Sequence, residues 1–214
     1  MSDTHGLHRR LSHFPATDIF IHAGDITKHG TEAEVQDFLL WMSELPCQYK
    51  IFIAGNHDLY DKTQAEIQQI LPPDTFYLCD SGVEIEGIKF WGSPVTVLFH
   101  NHWAFSCTRG EEMRAHWAKI PADTDVLITH SPPFNILDLE KSGEHIGCRN
   151  LLQTVQAVKP CYHLFGHVHE SYGIEQQGET TFINGSALNE NHKIAVFSFS
   201  QHQIGEEKSL CRVN

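Results

Sequence analysis

Four apolar stretches of this 214-residue chain end in side chains that can bind metal ions. The stretches are DIFIHAGD, KIFIAGNHD, DVLITHSPP and YHLFGHVHE, and they deliver Asp25, Asn56, His57, Asp58, His130, His167 and His169. In open α/β sheets, ligands gather at the carboxyl ends of the strands. The glycines in three of these stretches let the backbone turn sharply and keep a cavity clear. Four such strand ends in one chain predict a metal centre.

The rest of the chain alternates apolar runs with amphipathic segments. Runs rich in Ile, Val and Phe predict strands over residues 18–23, 50–54, 75–78, 87–91, 125–129, 161–165, 180–183 and 193–198. Helical spacing predicts helices over residues 31–45, 63–71, 111–120 and 146–159. Thr31 followed by Glu34 fits a capping box at the start of the first helix. Strands that alternate with helices indicate an α/β protein.

The types of candidate ligand indicate which metals such a centre would hold. About seven oxygen and nitrogen donors are available, with no thiolate among them, which excludes Fe–S clusters and disfavours structural zinc. Mixed imidazole and carboxylate ligands suit Mn, Fe or Zn, of which Mn is favoured. Seven donors are too many for one open catalytic ion and suit two ions that share a bridging carboxylate. Two such ions can clamp the attacking and leaving oxygens of a displacement at phosphorus.

Composition limits which partners the protein is expected to bind and in which compartment it is expected to lie. The net charge of -12 disfavours long nucleic acids, whose binding relies on Lys and Arg to neutralise phosphates. We expect one domain over residues 1–214 and a cytoplasmic location, because no apolar run long enough to cross a membrane and no signal-peptide pattern is visible. Six scattered cysteines without a C-x-x-C pair are typical of reduced thiols. No pattern indicates an oligomeric state.

The ordered set SDTHG, HAGD, GNHD, THSPP and FGHVHE resembles the calcineurin-like metallophosphoesterase superfamily. The stretches IHAGDIT, YKIFIAGNHD, WGSP, DVLITHSPP, GEHIGCRNLL and FGHVHESYGI are similar to its metallophosphoesterase-domain branch. The resemblance runs from Asp3 to about Asn189. It implies a four-layer α/β/β/α sandwich of two mixed sheets flanked by helices, with a dimetal site on the loops above the sheets.

The resemblance also implies a role for each matched residue. The first metal would be held by Asp3, His5 and His169, and the second by Asn56, His130 and His167. Asp25 would bridge both ions, and His57 would lie beside the scissile phosphate as a general acid or transition-state stabiliser. A metal-bridging hydroxide would attack phosphorus in line. In the protein-phosphatase branch, the Gly-Asp motif is followed by Asp-Arg-Gly. The segment GDITKHG lacks that continuation, so a protein phosphatase is disfavoured.

On this basis we expect a phosphodiesterase of small phosphodiesters such as cyclic nucleotides. A phosphomonoesterase or a nuclease of short ends is an alternative within the enzymes. A nucleotide-binding regulatory protein with weakened catalysis is an alternative from another class. The expected partner in each case is a small phosphoester or nucleotide, with neither long nucleic acid nor membrane involved.

Several residues near the motifs have two open interpretations. Phe99, Trp103 and Phe105 could form an aromatic wall that stacks on a nucleobase, or a hydrophobic loop packed on the body of the protein. Arg149 could contact a substrate phosphate or be a solvated helix residue. Asp58 could orient His57 or cap a turn. His22 lies in an apolar run and is expected in the core.

The position of Asp3 and His5 raises a further expectation. By the resemblance, this pair follows the first strand, yet only Met1 and Ser2 precede it here, so that strand is expected to be truncated. First residues are poorly ordered unless they are tied down. We therefore expect a frayed terminus and a first metal held more weakly than the second. Adding about six apolar residues before Met1 should then raise the melting temperature and metal content.

Overall fold

The computed structural model describes residues 1–11, 14, 17–58, 63–98 and 103–187. The described helices are α1 Glu32–Glu44, α2 Gln64–Ile70, α3 Glu111–Trp117 and α4 Arg149–Val158. The described strands are β1 Thr17–Ala23, β2 Cys47–Ile53, β3 Thr75–Tyr77, β4 Ser81–Ile85, β5 Ile88–Ser93, β6 Thr96–Val97, β7 Ser106–Cys107, β8 Val126–Thr129, β9 Tyr162–Phe165, β10 Gly173–Gln177 and β11 Thr180–Asn184. The predicted strand over residues 193–198 lies outside the described residues, as does Phe99.

The strands form two main sheets whose parallel strands end at a common edge. The first sheet has the order β1-β2-β3 and is parallel throughout. The second has the order β10-β11-β9-β8-β5-β4, in which β11, β9, β8 and β5 run parallel and the outer two strands run antiparallel. Because Ala23 pairs with Ile53 and Ile128 with Leu164, β1 ends level with β2 and β8 ends level with β9. His130 Nδ1, just after β8, lies 2.9 Å from the Ala23 carbonyl, so the two sheets meet at this edge. This shared edge positions the polar residues.

Three hydrophobic clusters show that the described chain forms four layers. Residues such as Ile21, Ile53 and Ile128 pack in the cluster between the two sheets. The opposite face of the first sheet packs on α1 and α2, with Phe38 among the buried residues. The opposite face of the second sheet packs on α3 and α4 around Trp117. The predicted α/β fold with helices flanking two sheets is confirmed.

The predicted elements that fall in the described residues are all present, with small shifts at their ends. Thr31 and Glu34 form the expected capping box on α1. The helix predicted over residues 146–159 begins later, at Arg149, because the Cys148 side chain caps its first turn. The hairpins β4–β5 and β10–β11 add two strands that were not predicted.

The expectation of a frayed terminus is wrong. Met1, Ser2 and Asp3 are buried, and Ser2 forms a parallel bridge with Ser186. The Met1 carbonyl accepts a hydrogen bond from the backbone N of Ala23. The Ser2 backbone N donates to the Gly185 carbonyl. This short segment therefore joins the first sheet to the second, and its hydrogen bonds on both sides hold it in place.

His22 lies in the core, as expected. Its side chain is fully buried, and Thr4 Oγ1 lies 3.1 Å from its Nε2. Burial is the main cause that lowers the pKa of this imidazole well below its usual value. Within the described residues, no helix has the length and apolar character that a membrane crossing requires.

Phe38→Ala should destabilise the protein much more than Leu40→Ala on the same helix. Phe38 is 0% exposed and Leu40 is 57% exposed, so only the first substitution leaves a cavity. Removal of a buried Phe side chain costs about 3–5 kcal/mol of unfolding free energy. Urea denaturation of the two variants measures the difference. Equal losses would show that α1 does not pack on the first sheet as described.

Candidate metal centre

The seven predicted ligands come together at the shared edge of the two sheets. Six of them lie in loops that follow a strand or the short N-terminal bridge, and His169 begins a short 3-10 helix after β9. They are Asp3, His5, Asp25, Asn56, His130, His167 and His169. A cavity of about 450 Å³ opens over them, and its lining includes His5, Asp25, Asn56, His167 and His169.

Asp3, His5 and His169 form the first group of donors. Asp3 Oδ1 lies 3.4 Å from His169 Nε2 and 3.9 Å from His5 Nε2. The two imidazole Nε2 atoms are 3.3 Å apart. Asp3 Oδ2 accepts hydrogen bonds from the His167 backbone N and the Ser186 hydroxyl, both at 3.0 Å. The second oxygen thus fixes the carboxylate, while the first points at the two imidazoles.

Asn56, His130 and His167 form the second group. His130 Nδ1 lies 2.9 Å from the Ala23 carbonyl, which can only accept, so the proton is on Nδ1. His130 Nε2 is then directed at Asn56 Oδ1, 3.1 Å away. The His167 ring packs edge-on to His130, with centroids 5.2 Å apart. A backbone carbonyl that fixes the tautomer of a histidine is a common feature of metal ligands.

Asp25 lies between the two groups. Its Oδ2 is 3.8 Å from His5 Nε2 and 3.3 Å from His130 Nε2. Its Oδ1 accepts a hydrogen bond of 2.9 Å from the His57 backbone N. One oxygen therefore faces both groups, which is the arrangement that a bridging ligand requires.

The charges of the buried groups also favour cations. Burial alone would raise the pKa of Asp3 and Asp25, but the neighbouring imidazoles outweigh it and lower both values. Burial, followed by the charge of His130, lowers the pKa of His167 to about 4 and keeps it neutral. Burial opposes a charge on His130, yet the Asp25 carboxylate raises its pKa to about 10, so an ion that binds His130 Nε2 has to displace a proton from it. Two ionised carboxylates beside imidazole nitrogens attract divalent ions.

The residues present fit a pair of divalent ions. Asp3 Oδ1 is fully buried and accepts no hydrogen bond of normal geometry from the described residues. A buried carboxylate oxygen without such a partner is costly unless a cation satisfies it. Asp3 belongs to two groups of three residues whose donor atoms lie within 4.8 Å of one another, one with His5 and His169 and the other with Asp25 and His130. Asp3, His5, Asp25 and His167 also hold left-handed backbone conformations, which are strained for residues with side chains and concentrate at functional sites.

His57 lies on the wall of the cavity. Its Nδ1 is 3.2 Å from the Lys28 carbonyl, so Nδ1 donates and Nε2 remains available for other contacts. Its ring lies against Trp103, with centroids 4.4 Å apart, and meets His5 edge-on at 4.7 Å. His57 also falls within 4.8 Å of donor atoms of His5 and Asp25, so a role as a further ligand has to be distinguished by experiment.

Asp58 ties two of the metal-site loops together and makes no described hydrogen bond to the His57 ring. Its Oδ1 accepts from the backbone N and hydroxyl of Thr27, and its Oδ2 accepts from the backbone N of Ile26 and Gly55. Burial, followed by the nearby Asp25 charge, raises the pKa of Asp58 to about 7. Of its two interpretations, the turn-stabilising one fits these contacts.

Two of the expected substrate contacts lie elsewhere. Phe105 is half-buried and packs against the core beside α1 instead of lining the cavity. The Arg149 guanidinium stacks on Phe134, 3.4 Å from the ring centroid, at the start of α4 and outside the cavity lining. Trp103 does line the cavity and is 39% exposed.

Sequence reasoning missed other residues of the cavity wall. They are Thr96, Val97, Glu140, Glu144 and Ile146. All lie in loops or in the two-residue strand β6, where no periodic pattern marks a residue. Glu144 and Ile146 fall inside the GEHIGCRNLL stretch quoted above, which was the available signal.

The family model for calcineurin-like phosphoesterases matches residues 1–171, which include all seven candidate ligands. The chain belongs to the calcineurin-like phosphoesterase family. This family generally binds two divalent metals, and the ligand groups described above are the candidates in this member. The match supports the description of the protein as a metal-binding hydrolase of the metallophosphoesterase type.

Two relatives agree with this placement, and a solved structure shares the fold. A UPF0046 protein of Caenorhabditis elegans is 39% identical over 208 residues, which cover 91% of this chain and 70% of that protein. Human metallophosphoesterase domain-containing protein 1 is 37% identical over 218 residues, covering 90% of this chain and 66% of the relative. The chain thus spans about two thirds of these relatives' length. The crystal structure of the protein TT1561 from Thermus thermophilus has a TM-score of 0.62 at 15% identity, covering 88% of this chain and 89% of that chain, and shows the fold alone.

Gly166→Ala should weaken metal binding by this phosphoesterase. A Cβ at Gly166 would lie 2.1 Å from Asp3 Oδ2 and from Ser2 Oγ, so the carboxylate would have to move. Loss of such supporting contacts reduces metal affinity about 10- to 100-fold. Calorimetric titration with Mn²⁺ measures the change. Gly173→Ala is the matched control, since its nearest contact would be an ordinary 3.5 Å to Leu137. Unchanged affinity in Gly166→Ala would mean that Asp3 does not hold an ion.

Proposed function

We propose that this chain is a dimetal phosphodiesterase that hydrolyses small phosphodiesters. The observation that carries the proposal is the convergence of two donor groups around Asp25, with the buried Asp3 Oδ1 directed at the imidazoles of His5 and His169. Asp3, His5 and His169 would hold one ion, Asn56, His130 and His167 the other, and Asp25 both. Mn²⁺ is the ion we favour for these ligands, with Fe and Zn as the alternatives.

Bound divalent ions would supply the positive charge that polarises the phosphoryl group and aligns the attacking and leaving oxygens. The chain's own residues determine what else the site can do. Thr96, Val97, Trp103 and Ile146 line the wall that would surround the ester. The fixed loops after β1 and β2, held by Asp58, preserve the positions of Asp25 and His57 relative to each other.

The charge of the cavity favours a diester over a monoester. Among the described lining residues there is neither Lys nor Arg, whereas Glu140 and Glu144 add negative charge. A phosphomonoester dianion carries one more negative charge than a diester and would meet neither Lys nor Arg among the described walls. The diester therefore suffers less repulsion from the walls.

In this proposal His57 acts on the leaving group. Its Nδ1 donates to the Lys28 carbonyl, so its Nε2 is the atom that can hold a proton toward the cavity. A protonated imidazole at this position would donate to the leaving alkoxide oxygen. The contact with Trp103 and the edge-on contact with His5 limit the rotation of the ring.

The chain loaded with Mn²⁺ should hydrolyse bis-p-nitrophenyl phosphate with a higher kcat/KM than p-nitrophenyl phosphate. The physical reason is the negative charge of the described walls. Release of p-nitrophenolate measures both reactions. Treatment with a chelator should abolish both, and added Mn²⁺ should restore them. A preference for the monoester would favour the phosphomonoesterase instead, and the absence of turnover with both sites filled would favour a regulatory protein.

His57→Ala should keep two equivalents of metal and lose about 10²–10⁴-fold in turnover of a diester with a poor leaving group. The loss should be smaller for p-nitrophenolate, which needs less help from an acid. His29→Ala is the control, because His29 is exposed and does not line the cavity. Metal analysis by plasma mass spectrometry accompanies the kinetics. If His57→Ala loses one equivalent of metal, His57 is a ligand and not the acid.

A further inference from the structure

One small hairpin contributes two glutamates to the lining of the metal cavity. Glu140 and Glu144 both line the cavity. The Glu140 backbone N donates to the Glu144 carbonyl at 3.0 Å, and Leu139 pairs with His145 in an antiparallel bridge. The two glutamates are therefore directly opposite each other across the hairpin. Like charges in such a cross-strand pair destabilise the fold.

The hairpin is fixed by buried contacts. Asp138 is 0% exposed, and its Oδ2 accepts hydrogen bonds from the backbone N of Asn135 and Gly147, both at 2.9 Å. Its Oδ1 lies 2.6 Å from His145 Nδ1. The Ser171 hydroxyl, next to the turn that carries His169, bonds to Leu139. The glutamates thus belong to a loop whose base is anchored to the metal-site turn.

An aromatic surface lies in the same cavity. The Trp103 indole is 39% exposed although it packs on His57. Indole is the best of the aromatic side chains at attracting a cation to its face, and carboxylates attract the same cation by charge. The remaining described wall residues outside the ligand set are Thr96, Val97, His57 and Ile146, none of which is Lys or Arg.

We propose that the preferred substrates are phosphodiesters in which one alcohol carries an alkylammonium group. This proposal rests on the proposed function, since the phosphate would lie at the metal centre and the ammonium between the Glu140–Glu144 pair and Trp103. The ammonium would relieve the repulsion between the two carboxylates. The ammonium cancels the charge of the phosphodiester, so the net charge of -12 does not repel such a substrate as it repels polyanions. A neutral alcohol gains from neither the carboxylates nor the indole quadrupole.

The test uses a pair of esters that differ only in charge. In p-nitrophenyl phosphocholine the quaternary nitrogen is positive, and in p-nitrophenyl 3,3-dimethylbutyl phosphate a carbon of the same shape replaces it. The Mn²⁺-loaded chain should show about tenfold higher kcat/KM for the cationic ester. Calorimetry should show that phosphocholine binds more tightly than 3,3-dimethylbutyl phosphate by a factor of the same order. This measurement of affinity does not depend on turnover.

The variant Glu140→Gln/Glu144→Gln should lower both preferences to about twofold, while its metal content stays unchanged. Glu84→Gln/Glu175→Gln is the matched control, with the same change in net charge on strands β4 and β10, and should retain them. Equal constants for the charged and neutral compounds in the wild type, or equal effects of the two double variants, would overturn the proposal. Turnover of both esters without a charge preference would support the phosphodiesterase activity and contradict the proposed substrate class. A binding preference for the charged compound without turnover would support the recognition of the ammonium and contradict the phosphodiesterase activity.

Discussion

The two donor groups of the site depend on the Asp25 carboxylate, which lies between them. Its Oδ2 faces His5 from the N-terminal segment and His130 from β8, while its Oδ1 holds the His57 backbone. Such an oxygen can serve both donor groups only if the loops approach closely. Gly55 makes this possible, because a Cβ there would lie 2.3 Å from Asp25 Oδ1. The glycines that end the strands are therefore a packing requirement of the site.

The N-terminal segment fixes another part of the metal site, the position of Asp3. Ser2 bonds to Gly185 beyond the second sheet, and the Met1 carbonyl accepts from β1 of the first. Asp3 is consequently fixed where the two sheets meet, and its carboxylate in turn holds the His167 backbone. The metal-site geometry and the joining of the two sheets are thus produced by the same few hydrogen bonds.

The strand ends were predictable from the sequence because parallel register places successive strand ends at one edge. β1, β2, β8 and β9 illustrate this, and their apolar runs are unambiguous. The order of the N-terminal segment was not predictable, since its partners at Gly185 and Ser186 are far away in sequence. Local sequence likewise gives no reason for Phe105 to turn into the core or for Arg149 to stack on Phe134. Such contacts depend on tertiary packing, which no local pattern encodes.

Anomalous diffraction from crystals grown with Mn²⁺ tests the central claim most directly. Two peaks are expected roughly 3.5–4 Å apart. One should lie among Asp3, His5 and His169, the other among Asn56, His130 and His167, with Asp25 in contact with both. A single peak, or peaks that Asp25 does not touch, would contradict the account of a dimetal centre organised by this carboxylate.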